Sequence, residues 1–318
     1  MSKSMSVKQI SATVAKAVRH AHEAAPDDDR AFFDELNARI APVMPSRPVV
    51  AARTSDAGTK ARGPRLGDDP RYLANLRAVA RSASNARIIG GTPVAGKALD
   101  DCVAVGDDDF WGCTGTLIAP NVVLTAGHCE QLHTRVFVGR DPTKKGRIFK
   151  VKTHVRHPKF DAAFRNDLMI LILEKKVTGV TPRKMAPKAL IDKATVGRIV
   201  GFGSTRLDGT GMLGAKLETQ VPIVSQACRG IVNGRKDGQV YGCHLSHEIV
   251  AGKPLLLHDS CKGDSGGPLF VKNAAGQWLL AGTTSRGTDL TTTMCGDGGL
   301  YVRVDFYQKW IASVLKKA

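Results

Sequence analysis

No stretch of this chain is apolar for long enough to cross a bilayer as a helix, which excludes a helical membrane span. Cysteine is absent before Cys102, and none of the seven cysteines forms a CxxC pair, so a zinc site of the usual spacing is not expected. Aromatic residues are scarce, at 5%, and they are not interleaved with basic ones as in single-strand nucleic-acid binders. Acidic residues are outnumbered: 46 lysines and arginines face 29 aspartates and glutamates, a net charge of +17. That surplus favours anionic surfaces in general, but with no RNA-binding signature no specific nucleic-acid partner is expected. The opening MSKSMSVKQISATVAKAVRH lacks an apolar core of secretory length, which points to the cytoplasm. Cysteine usage points the other way, to a secreted protein in an oxidising compartment holding three disulfides and a spare thiol.

What is present falls into two unequal parts. Over residues 1–87, Val7, Ile10, Val14, Ala17, Val18 and Ala21 recur at helical spacing. A second amphipathic pattern follows with Phe32, Phe33, Leu36 and Ile40, and then a Pro/Arg-rich linker. This region has the makings of a small helical hairpin and too little mass for an independent core. From residue 88 the pattern changes to short runs rich in β-formers, among them GTLIAPNVVLTA, TRVFVG, DLMILILE, GRIVGFG, QWLLAGTTS and GLYVRV, bounded by Gly, Asp and Asn. No helical pattern alternates with them, so an all-β antiparallel barrel arrangement is expected rather than an α/β sheet. The closing DFYQKWIASVLKK places Phe306, Trp310, Ile311 and Val314 on one face of a C-terminal helix.

Three residues stand out chemically. Ser265 lies in GDSGGP; a serine hydroxyl is inert unless a base takes its proton and an acceptor fixes the tautomer of that base. His128 follows an apolar strand in VVLTAGHC, and Asp167 sits at the mouth of the apolar run DLMILIL, where a carboxylate needs a partner. The chain order His, Asp, Ser is that of chymotrypsin-type hydrolases rather than of the subtilisin or α/β types.

With IIGG, LTAGHC, NDLMIL and DSCKGDSGGP in this order, residues 88–318 resemble the peptidase domain of the trypsin/chymotrypsin-like serine proteases. The resemblance implies two six-stranded antiparallel β-barrels with a cleft between them, preceded here by a pro-region over residues 1–87. It implies Ser265 as nucleophile, His128 as general base and then acid, and Asp167 as the residue that orients His128. The N–H groups of Gly263 and Ser265 would form the oxyanion hole. It also implies disulfides Cys113–Cys129, Cys228–Cys243 and Cys261–Cys295, leaving Cys102 as a buried thiol.

Asp259, six residues before the nucleophile, corresponds in that family to the base of the primary specificity pocket. A buried carboxylate there selects Arg or Lys in the substrate, because an unpaired buried charge is costly and a guanidinium or ammonium satisfies it. Ser285, Gly287 and Gly299 match the pocket walls. Arg286 stands where the family usually has tryptophan, and HLSHEIVAGKPLLLHDS and TDLTTTM bordering the pocket look enlarged. The VFVGRDPTKKGRIFKV stretch lacks the acidic pair of a calcium loop, so no metal and no cofactor are expected.

NAR preceding IIGG resembles the family's precursor cleavage site. Cutting after Arg87 would free the ammonium of Ile88 to pair with Asp264. The expected protein is therefore an Arg/Lys-directed endopeptidase made as a zymogen, cut by itself or by another protease. It is similar to bacterial intracellular trypsin-like proteases of defence-type cascades. The alternative is a catalytically silent, basic, protease-like binding protein.

Overall fold

Chain segments that alternate β-branched and small residues between Gly and Asn turns can bury one face by curling a sheet upon itself, and this chain does so twice. The computed structural model describes residues 88, 90–204, 213–252, 258–290 and 295–318. The helical patterns of the N-terminal region, its linker and Arg87 lie outside the described residues.

The first barrel comprises β2 (Cys102–Gly106), β3 (Trp111–Ala119), β4 (Val122–Thr125), β5 (Arg135–Val138), β6 (Arg147–Arg156) and β7 (Met169–Leu173). They close in the order β2-β3-β4-β7-β6-β5, every pair antiparallel. GTLIAPNVVLTA forms the β3–β4 hairpin, with Pro120 and Asn121 at its turn. The strand β7, Met-Ile-Leu-Ile-Leu, is buried on both faces, which explains why its sequence does not alternate. Met169, Leu171 and Leu173 fill the barrel with Val103, Val105, Leu117 and Val136, while Ile170 and Ile172 face a second apolar cluster outside it.

The second barrel comprises β8 (Val196–Gly201), β9 (Leu217–Ser225), β12 (Glu248–Ala251), β13 (Pro268–Lys272), β14 (Trp278–Gly287) and β15 (Gly299–Arg303). It closes because β8 pairs with both β9 and β13. Two residues of β1 (Thr92–Pro93) add to the free edge of β9 beside β12. Part of the HLSHEIVAGK stretch is thus a core strand, since Glu248–Ala251 form β12. A small hairpin, β10 (Ile231–Val232) and β11 (Arg235–Lys236), and the short helices α1 (Lys188–Ile191) and α2 (Asp237–Tyr241) decorate it.

The C-terminal helix α3 (Gln308–Leu315) buries Ile311 and Val314 among Leu168, Ile170, Leu280 and Val304, residues drawn from both barrels. Phe306 departs from the expected face: it precedes the helix, is 51% exposed and stacks on His247. Tyr307 takes the buried place instead, because the helix starts after it and turns the Phe306 side chain outward.

Three disulfides form, Cys113–Cys129, Cys228–Cys243 and Cys261–Cys295. Cys102 is a buried free thiol on β2 whose ionisation burial opposes strongly.

Candidate active site

The end of β4 leads into a single 3₁₀ turn, Gly127–Cys129, that carries His128. Its Nδ1 lies 2.8 Å from Asp167 Oδ2, and its backbone N–H donates to Asp167 Oδ1 at 2.9 Å. One carboxylate therefore holds both the ring and the backbone of the same histidine. Asp167 is fully buried, whereas the His128 side chain keeps 24% of its surface exposed. A second group, the hydroxyl of Ser285, donates to Asp167 Oδ2 at 2.6 Å. Ser285, a pocket-wall residue in the sequence reading, thus also supports Asp167. Before Asp167, Asn166 takes the left-handed conformation (φ 55), held by the Tyr307 hydroxyl, which donates to its Oδ1 at 3.0 Å. Phe164 sets its ring edge-on to His128, 5.6 Å between centroids.

Ser265 belongs to the other barrel, on the loop before β13. Its carbonyl lies 3.8 Å from the Sγ of Cys129, next in sequence to His128. Among the described residues its hydroxyl makes no hydrogen bond to His128. Gly263 and Gly266 adopt φ of 98° and 81°, conformations open to glycine and costly for other residues. At Gly266 a side chain is also impossible, since a Cβ would fall 2.0 Å from Thr125 Oγ1. The carbonyls of Gly263 and Ser265 accept from Thr114, at 2.7 Å from Oγ1 and 2.8 Å from N. The N–H groups of Gly263 and Ser265 have no acceptor among the described residues.

Asp259 is 3% exposed. Its Oδ1 accepts from the Ser260 N–H at 2.7 Å, and its Oδ2 from the N–H groups of Gly296 and Gly298 at 3.2 and 3.0 Å. Burial pushes its carboxyl up to about 7, against the lowering effect of these bonds. Next to it Gly299 stands directly opposite Gly287 in the β14–β15 register, so two positions facing each other across the strands lack side chains. The Cys261–Cys295 disulfide ties the Asp259 segment to the segment before β15.

Asp264 is turned inward. Its Oδ1 accepts from the Gly203 N–H at 2.8 Å and its Oδ2 from the Cys261 N–H at 2.9 Å. Burial raises its carboxyl to about 7 as well, these two bonds opposing it. Ile88 is 1% exposed and packs with Ile199 of β8 and Leu217 of β9, with a φ of 52° that is strained for a β-branched residue. The Asp264 carboxylate abuts Gly201, at the end of that same β8.

Arg286 is not a free cation. Its guanidinium grips the buried Glu248 carboxylate with both nitrogens, at 2.6 and 3.1 Å, and donates to the Gly242 carbonyl at 2.9 Å. Sequence reasoning flagged Arg286 but not its partner, since Glu248 lies on a different strand. No group of three or more His, Cys, Asp or Glu among the described residues could hold a metal ion.

The family model described as Trypsin matches residues 88–311. A trypsin-like protease of Streptomyces glaucescens is 33% identical over 76% of this chain and 87% of its own length. Trypsin 5G1 of Aedes aegypti is 32% identical over 73% of this chain and 86% of its own. Serine protease filzig of Drosophila melanogaster is 30% identical over 72% of this chain, which spans only 14% of that protein's length.

Proposed function

Given that this chain belongs to the trypsin family of serine proteases, we propose that it cleaves peptide bonds after Arg or Lys and is made as a precursor activated by a cut after Arg87. The observation that carries the proposal is the Asp167 carboxylate, which holds the Nδ1 and the backbone of His128 and leaves Nε2 for a proton from Ser265.

In this reading the Ser265 Oγ forms a bond to the scissile carbonyl carbon while its proton passes to His128 Nε2. The carbonyl oxygen takes the electron pair, and the N–H groups of Gly263 and Ser265 stabilise it. The carbon–nitrogen bond then breaks as the imidazolium returns its proton to the leaving amine. Water repeats the sequence on the acyl ester and restores Ser265. Asp167 stabilises the imidazolium at both stages, and the Ser285 hydroxyl steadies Asp167.

Asp259 supports the specificity. A buried carboxylate whose donors among the described residues are all neutral gains most from a cation, and Gly287 and Gly299 leave a long side chain room to reach it. Ile88 and Asp264 support the activation. Cutting the bond before Ile88 abolishes the strained φ and creates an ammonium at the barrel that holds a buried carboxylate whose donors among the described residues are neutral.

The test is to cleave the chain after Arg87, challenge it with a fluorophosphonate probe and profile its products on a peptide library. Labelling of Ser265 and cleavage after Arg and Lys are expected. A folded, correctly cut protein that stays unlabelled would instead be a silent binding protein. Self-activation is read in parallel: N-terminal sequencing should find Ile88 exposed in the wild type on standing but not in Ser265→Ala.

A further inference from the structure

Thr114 lies fully buried on β3, in the first barrel, yet all its hydrogen-bonding groups are engaged beyond its own strand. Its N–H donates to the Ser265 carbonyl at 2.8 Å and its hydroxyl to the Gly263 carbonyl at 2.7 Å. The same oxygen accepts from the Phe202 N–H at 3.4 Å, and the Thr114 carbonyl accepts from the Thr125 hydroxyl at 2.8 Å. One side chain thus ties the first barrel to the serine loop and to the Phe202 segment of the second.

Gly263 has no side chain to restrict its backbone, so something else must fix the peptide planes around it. Anchoring the Gly263 and Ser265 carbonyls sets the planes that follow the two donor N–H groups. The loop also lies close against Thr114: a Cβ on Gly266 would fall 2.4 Å from the Thr114 carbonyl and one on Gly267 would fall 3.1 Å from its Cγ2. Donors for an oxyanion act only when they are aimed, before the reaction begins, at the place where charge will develop.

We infer that Thr114 is a positioning residue that aims the Gly263 and Ser265 N–H groups at the oxyanion from the opposite barrel. The inference rests on the protease reading above and extends it. Thr114 touches no reacting atom; it acts through the loop.

The experiment uses the enzyme cut after Arg87. Thr114→Val keeps the shape and removes the hydroxyl, and it should lower kcat by about 10- to 100-fold, with KM within about twofold of wild type. An arginine-ended peptide boronic acid, which forms a tetrahedral adduct on Ser265, should lose affinity by the same factor. Benzamidine, which fills only the pocket above Asp259, should bind as to the wild type. Thr114→Ser should restore kcat to within about threefold. Should the valine variant not fold, Thr114→Ala removes the hydroxyl without crowding and carries the same expectations.

The inference is overturned if the hydroxyl-free variants keep wild-type kcat and boronate affinity, or if Thr114→Ser is as impaired as Thr114→Val. It is also overturned if benzamidine affinity falls in step, which would make the role one of general integrity. A wild-type enzyme that neither turns over substrate nor binds the boronate would overturn the protease reading itself, a result distinguishable from all of these.

Discussion

On the proposed reading, two buried carboxylates serve by opposite means. Asp167 is satisfied by three donors and serves as a fixed acceptor, so Asp167→Asn should leave the fold intact while reversing the hydrogen bond that His128 needs. A fall in kcat of about 10⁴-fold is expected, seen as lost turnover with unchanged benzamidine binding. Asp259 is instead held near neutrality by burial, which makes its affinity for cations dependent on pH. With its carboxyl up at about 7, it is ionised above that pH and protonated below it. Benzamidine affinity should therefore be constant in alkaline solution and weaken by about tenfold per unit of pH on the acid side. Equilibrium titration across that range checks it, and Asp259→Ser should abolish both the affinity and the slope. A flat profile in the wild type would remove Asp259 from the pocket floor.

Among the elements, the segments that bear the proposed reactive groups had the plainest sequence signals. The apolar run VVLTA before His128, the run LMILIL after Asp167 and the glycine-rich GDSGGP around Ser265 drew attention to those three residues. What stayed hidden was made by residues with no local signature. The Ser285 hydroxyl meets Asp167 across 118 positions, and the Thr114 hydroxyl meets Gly263 across 149. Serine and threonine at strand positions read as ordinary β-formers until closure of the barrels brings the partners together. Glu248 was hidden for a related reason: an acidic residue in an apolar strand conflicts with its setting until the cation from β14 is in view. Phe306 was misplaced because an apolar periodicity does not state where a helix begins. Of the disulfides, Cys113–Cys129 clips the His128 turn to β3. Replacing both cysteines by alanine should cost about 3 kcal/mol on the chain-entropy estimate, measured by chemical denaturation, and should lower kcat more than a distant crosslink would.

At the scale of the whole molecule, Asp264 links the state of the chain to its stability. Burial raises its carboxyl from 3.8 to about 7, so the folded protein holds this proton more tightly than the unfolded chain does. The proton-linked stability is therefore complete below the ordinary carboxylate range and is lost as pH rises through about 7. In the chain cut after Arg87, an Ile88 ammonium beside the carboxylate would offset that loss. Melting temperatures of the intact and cut forms should accordingly converge in acid and separate towards neutral pH, the cut form being the more stable. Asp259 contributes equally to both forms and drops out of the difference, and Asp264→Asn should erase it. Equal melting curves at every pH would rule out the ammonium–carboxylate pair.

The solitary thiol of Cys102 gives the molecule its own clock. Its Sγ, wholly enclosed, points at the Val200 carbonyl of β8 at 3.7 Å, on the seam where the two barrels meet. No reagent can reach it unless that seam parts, and it stays protonated until then. The rate at which an aromatic disulfide reagent consumes it therefore reports openings that expose this seam, with no label added.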